Sequence, residues 1–142
     1  GKVSSVIQNM ELTQFVSGVD GVRIITPAWS FAGLSLSGGF DYNHDGYGDL
    51  IIGSTPFGNE YTTQASYVVY GKPSNELKQS ITLSSFTPTQ GFSIKGAGFL
   101  VNGEVGDVNG DGLDDVVVVS FPQWDGQNGV YVLLYPVSVS SS

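Results

Sequence analysis

Two short stretches carry most of the chemistry in this chain. Asp41-Tyr42-Asn43-His44-Asp45-Gly46-Tyr47-Gly48-Asp49 and Asp107-Val108-Asn109-Gly110-Asp111-Gly112-Leu113-Asp114-Asp115 both read D-x-N-x-D-G-x-x-D. Three carboxylates and one carboxamide stand at positions 1, 3, 5 and 9. Side chains at that spacing can converge when the loop curls, and the Gly at position 6 (Gly46, Gly112) allows the sharp turn. The main-chain carbonyl at position 7 completes an oxygen-only donor set. The expected ligands are Asp41, Asn43, Asp45, the Tyr47 carbonyl and Asp49 in the first loop. In the second they are Asp107, Asn109, Asp111, the Leu113 carbonyl and Asp115. Hard oxygen donors in this number suit Ca²⁺ better than Mg²⁺, which demands a small octahedron and keeps its water. Two Ca²⁺ sites are therefore expected.

Other readings of the loops fare worse. A helical EF-hand needs a bidentate Glu at position 12, where this chain has Ile52 and Val118, and its flanking helices are replaced by strand-like runs. A metal-free Asp/Asn/Gly hairpin is the plain alternative, but recurrence of the whole pattern in equivalent places favours the metal. Seven of the 13 acidic residues lie in these loops. Asp114 has no acidic counterpart, since Gly48 stands in the first loop, and strand alternation would point it outward. His44 occupies a variable position and is expected to be solvated.

Little else suggests catalysis, and no enzymatic activity is expected. The chain has no Cys and a single His, which excludes Cys-ligated zinc, thiol chemistry and multi-His metal sites. It shows no nucleophile elbow and no phosphate-cradling Gly loop. A net charge of −8 argues against nucleic acid as a partner. No apolar run approaches the ~18 residues of a membrane span. Trp29, Phe31, Phe121 and Trp124 are read first as packing residues and second as a partner or sugar-stacking surface. Tyr61 to Thr63 and Asp125 to Asn128 are candidate contact loops.

The elements that must position the loops are strands. Leu34 to Phe40, Asp49 to Gly53, Tyr67 to Gly71, Asp115 to Val119 and Val130 to Tyr135 are short β-branched or aromatic runs bounded by Gly, Pro, Asn and Asp. Helical signals are confined to Met10 to Phe15 and Leu83 to Phe86, each a turn at most. The chain of 142 residues and 15.0 kDa also repeats itself. An offset of 66 carries the first acidic loop and Leu50-Ile51-Ile52 onto the second loop and Val116-Val117-Val118. An offset of 65 aligns Tyr67-Val68-Val69-Tyr70 with Val132-Leu133-Leu134-Tyr135. Leu12 to Phe15 matches Leu83 to Phe86 at 71, and Gly21 to Ile24 matches Gly91 to Ile94 at 70. Drifting offsets mark loops of unequal length between fixed strands.

Over roughly residues 10–136 the chain resembles the FG-GAP repeat family, the integrin-α-type β-propeller repeat. The resemblance rests on Gly33-Leu34-Ser35-Leu36-Ser37-Gly38-Gly39-Phe40-Asp41, the acidic loop, and Leu50-Ile51-Ile52-Gly53-Ser54-Thr55-Pro56 where the family has Gly-Ala-Pro. Ala65 to Lys72 and Leu83 to Lys95 resemble repeats of secreted members. Ala32 stands in place of the Phe of "FG". Pro56 comes one residue late, and Val119-Ser120-Phe121-Pro122 lacks the Gly. The resemblance implies an all-β fold of antiparallel four-stranded blades with an ion in a loop between two strands. It divides the chain into an N-terminal strand and partial repeat (1–29), a first repeat (30–96) and a second, incomplete repeat with a tail (97–142).

Two blades cannot close a ring that typically takes 4–8. The assembly is expected to stay open unless other chains or further sequence complete it. Lys2 to Gln8 and Val137 to Ser142 are candidate exchanged strands, with copies of the chain as partners in a ring or filament. The expected function is an extracellular or cell-surface structural and adhesion module stiffened by calcium. A carbohydrate-binding module and an accessory fragment of a larger secreted protein are the alternatives, with glycans or another extracellular protein as further partners.

Overall fold

The computed structural model describes residues 11–28, 30–54, 65–95, 106–120 and 129–135. Lys2 to Gln8, Val137 to Ser142, Trp29, Phe121, Trp124, Tyr61 to Thr63 and Asp125 to Asn128 lie outside them. The described chain is all-β apart from one 3₁₀ turn at Leu12–Gln14, within the weak helical signal of the sequence. The strands are β1 (Ile24–Ile25), β2 (Ser35–Phe40), β3 (Asp49–Gly53), β4 (Ala65–Val69), β5 (Ile81–Thr82), β6 (Gly91–Lys95), β7 (Val116–Ser120) and β8 (Gly129–Leu133). Leu83 to Phe86 begins a turn in which the Ser85 N–H donates to the Thr82 carbonyl at 3.1 Å.

Strands β2, β3, β4 and β6 form one antiparallel four-stranded sheet in that order. Strands β7 and β8 form an antiparallel hairpin, and β1 pairs with β5 in a short parallel ladder. No barrel closes among the described residues. Gly39 is an extra residue between the pairs Gly38–Leu50 and Phe40–Asp49, and its positive φ of 96° makes the bulge. The bulge turns Phe40 into the core just before the first acidic loop.

Period-two alternation gives the sheet two apolar faces. Ile51 and Val68 are cross-strand partners on one face, with Phe92 opposite Val68; Ile52 and Tyr67 are partners on the other. The Ile51 face packs with Phe40 and Tyr42 against Val116, Val118, Leu133 and Tyr135 from the second repeat. The Ile52 face, with Ala65, Tyr67 and Val69, packs against Val22, Ile24, Ile81, Leu83 and Phe86. The four-stranded sheet is thus a blade held between two neighbours. In β2 the serine of the L-S-L-S run faces inward: Ser35 is buried over Gly53, while Leu34 and Leu36 are exposed at the sheet edge.

The pairing corrects one repeat offset. Leu50 faces Val69 across β3 and β4, and Val116 faces Leu133 across β7 and β8. Strands β4 and β8 therefore match at 64, not 65, and Tyr67 corresponds to Tyr131. A one-residue slip would have exchanged the two faces of β8. Repeated Val and Leu made both alignments equally good in sequence.

Burial also sets the phenols. It pushes Tyr67 above its ordinary value and is the main cause that takes Tyr70 up to about 12, with smaller contributions from Tyr42, Asp49, Tyr135 and Asp45. A folded pKa above the unfolded one means stability is fully present below the unfolded value near 10 and falls as pH rises through the folded value. Phenolate absorbance at 295 nm should therefore show late-ionising tyrosines that titrate together with loss of structure between about pH 10 and 12. Full ionisation near pH 10 with the fold intact would refute this.

Candidate metal centre

Each acidic loop connects two strands or leads into one. The first runs from the end of β2 into β3, and the second leads into β7. Their hydrogen bonds match closely; the second loop adds one, from the Gly110 N–H to Asp107 Oδ1 at 2.6 Å. In the first, the Asp45 N–H donates to Asp41 Oδ1 (3.1 Å) and Asn43 Oδ1 (3.2 Å), Gly46 N–H to Asp41 Oδ2 (2.8 Å) and Tyr47 N–H to Asp45 Oδ1 (2.9 Å). In the second, Asp111 N–H donates to Asp107 Oδ1 (2.9 Å) and Asn109 Oδ1 (3.0 Å), Gly112 N–H to Asp107 Oδ2 (2.7 Å) and Leu113 N–H to Asp111 Oδ1 (2.9 Å). The Asn43 and Asn109 amides donate to Asp45 and Asp111 at 2.9 and 2.8 Å. The side chains at positions 1, 3 and 5 thus curl the loop around themselves as nested Asx turns.

Position 6 takes a left-handed φ of 86° in both loops, at Gly46 and Gly112. So does position 4, with φ of 58° at His44 and 78° at Gly110. His44 is exposed, yet its ring meets Tyr135 edge-on at 5.1 Å. The left-handed requirement at position 4 was visible only in the Gly of the second copy.

Position 9 behaves differently from the rest. Asp49 is 2% exposed and Asp115 0%. Asp49 Oδ2 accepts from Tyr42 N–H at 2.8 Å and Oδ1 from Gly71 N–H at 2.8 Å. Asp115 does the same with Val108 N–H at 2.8 Å and Tyr135 N–H at 3.3 Å. This carboxylate ties the start of the loop to the end of the next strand. Burial pushes the Asp49 carboxyl above the ordinary range; the backbone N–H groups of Gly71, Tyr42 and Asn43 oppose the rise, and the Asp45 charge adds to it. Sequence reasoning missed Gly71 and Tyr135, because their contribution is a main-chain N–H and leaves no residue-type signal.

Asp114 departs from expectation. It is half-buried, and its Oδ2 accepts from the Asp41 N–H of the other loop at 3.0 Å. The outward reading fails because the two blades stack, so this side of the second loop meets the first loop instead of solvent.

The ten expected ligands are thus gathered on two loops of matching geometry. Among the described residues, no group of three or more His, Asp or Glu side chains forms a ready-made metal cage. The carboxylates at positions 1 and 5 are turned onto N–H groups of their own loops, and those at position 9 also reach the N–H of Gly71 or Tyr135. Asp107 Oδ1 accepts from both Gly110 and Asp111 N–H. Asp41, Asp45 and Asp111 each accept no more than one such bond per carboxylate oxygen, which leaves a further lone pair. The donor chemistry, oxygen throughout, fits a hard divalent cation.

The FG-GAP repeat pattern matches residues 32–69 and 100–133. The chain belongs to the FG-GAP repeat family. Within the family it is 30% identical to Integrin alpha pat-2 of Caenorhabditis briggsae over 109 residues, 77% of the chain. It is 28% identical to Integrin alpha pat-2 of Caenorhabditis elegans over 129 residues, 89% of the chain. The FG-GAP chain spans 8% and 10% of the length of these two relatives. No solved structure matches it significantly. Both matched segments run through an acidic loop and the strands beyond it.

Proposed function

We propose that this chain is a calcium-stabilised blade unit of an extracellular adhesion module. The observation that carries the reading is the pair of acidic loops with one hydrogen-bond pattern, each at the mouth of a packed hairpin. Its likeness to integrin α chains supports the adhesion role and a cell-surface setting. Among the described residues no helix is long and apolar enough to cross a membrane. In this reading residues 30–96 make one blade and 97–142 begin the next. Ca²⁺ would be held by Asp41, Asn43, Asp45, Asp49 and the Tyr47 carbonyl, and by Asp107, Asn109, Asp111, Asp115 and the Leu113 carbonyl. It would offset the repulsion of three nearby carboxylates per loop and halve the formal charge of −8.

Removal of metal tests this. A chelator is expected to lower the melting temperature, and excess Ca²⁺ to restore it. Saturation at 100 times Kd contributes about 2.7 kcal/mol per site. Melting that ignores both chelator and Ca²⁺ would count against both sites.

The same reading makes the chain one part of a larger assembly, with copies of itself as partners. The second hairpin offers the support. Val116 and Val118 face the first blade, while Val117, Val119, Val130 and Val132 lie on the opposite face as cross-strand partners. Val130 is 67% exposed and Val132 42%. An apolar sheet face of this kind is normally covered. Light scattering on the purified chain should report a mass well above 15.0 kDa; a stable monomer at high concentration contradicts self-association and leaves the calcium reading standing.

A further inference from the structure

We propose that Asp114 is a positioning residue that couples the two acidic loops, so that the second loop sets the geometry, and hence the ion affinity, of the first. The inference rests on the calcium reading above. Asp114 is position 8 of the second loop, next to the buried Asp115, and its carboxylate accepts the N–H of Asp41, position 1 of the first loop, at 3.0 Å. Asp41 in turn gathers the N–H groups of Asp45 and Gly46. Displacing the Asp41 main chain would therefore disturb both of these bonds together.

A second strut runs beside the first. The Tyr135 N–H is bound to Asp115, and its ring meets Tyr42 at 5.2 Å and His44 at 5.1 Å, both edge-on. Positions 8 and 9 of one loop are thus fastened to positions 1, 2 and 4 of the other. The coupling has a direction. The first loop carries Gly48 where the second carries Asp114, so the first loop has no carboxylate at position 8 to offer a neighbour on its far side. Partners that orient a ligand typically change metal affinity by ~10–100-fold when removed.

The experiment uses the full chain and CaCl₂ in isothermal titration, with amide hydrogen exchange at Asp41 as a second readout. Asp111→Ala disables the second loop so that the first is read alone, and Asp45→Ala does the converse. Asp114→Ala is expected to weaken the first loop about tenfold, with a much smaller change in the second, and to speed exchange of the Asp41 amide. Asp114→Asn keeps an acceptor oxygen while losing the charge, and should retain most of the first loop's affinity and amide protection. An unchanged first loop in Asp114→Ala overturns the coupling, as does an Asn variant as weak as the Ala variant, which would assign the effect to charge alone. Failure of the unaltered chain to take up Ca²⁺ is seen before any variant is made; it overturns the calcium reading and the coupling of ions together.

Discussion

Asp49→Ala is expected to destabilise the chain by about 2–6 kcal/mol in buffer that contains chelator, before any ion is considered. The figure follows from two N–H groups, Tyr42 and Gly71, that lose their acceptor in a buried setting, at about 1–3 kcal/mol each. Part of the loss is offset, because the variant also removes a buried charge whose desolvation is the largest influence on the Asp49 carboxyl. Asp49→Asn separates the two roles of the residue. It keeps one acceptor oxygen and relieves the repulsion from Asp45, so in chelator it should lie within about 1–2 kcal/mol of the unaltered chain. On the calcium reading it should fall further behind in Ca²⁺, having lost one of the proposed charged ligands. Urea unfolding of both variants, with and without Ca²⁺, reads all four values. If Asp49→Ala costs stability only when Ca²⁺ is present, the carboxylate is a metal ligand and not a structural tie.

Gly91→Ala should be the most damaging glycine substitution in the first blade. Gly91 opens β6 opposite Val69, with a positive φ of 146°. A Cβ there would overlap the carbonyl oxygen of Val68, which belongs to a fully buried strand and cannot retreat, and would press on the Phe86 ring. Either β6 leaves the sheet or β4 shifts, and the loss should exceed about 4 kcal/mol, in the range reserved for core disruption. Gly39→Ala is the control. Gly39 has a φ of 96°, but nothing lies within 4 Å of the Cβ position, so only the backbone strain of about 1–2 kcal/mol applies. Equal losses in the two variants would mean that φ, not the close approach of two strands, decides the cost at Gly91.

Several features of the fold were legible in the residues. The β-branched runs marked the strands, the D-x-N-x-D-G-x-x-D pattern marked both loops, and the offset of 66 showed that they are copies. These signals are local: period-two burial, a turn that needs Gly, and side chains that bond main-chain groups a few residues away. Position 9 was legible as an Asp that recurs in both copies, but only as one expected ligand among several. Its burial against Gly71 and Tyr135 depends on strands 20 or more residues further on.

What the sequence by itself determined was therefore the class of fold, the family and the two acidic loops, because each rests on residue type at short range. Tertiary structure decided the rest. It chose between offsets of 64 and 65 for β8, which residue types could not, since a Val or Leu satisfies either register. It placed Ser35 inside and Leu36 outside, because β2 is an edge strand packed over Gly53. It turned Asp114 from an outward side chain into a link between the loops, because two blades stack face to face and bring Asp41 within hydrogen-bond distance from 73 residues away. Partners that meet through packing leave no spacing to read.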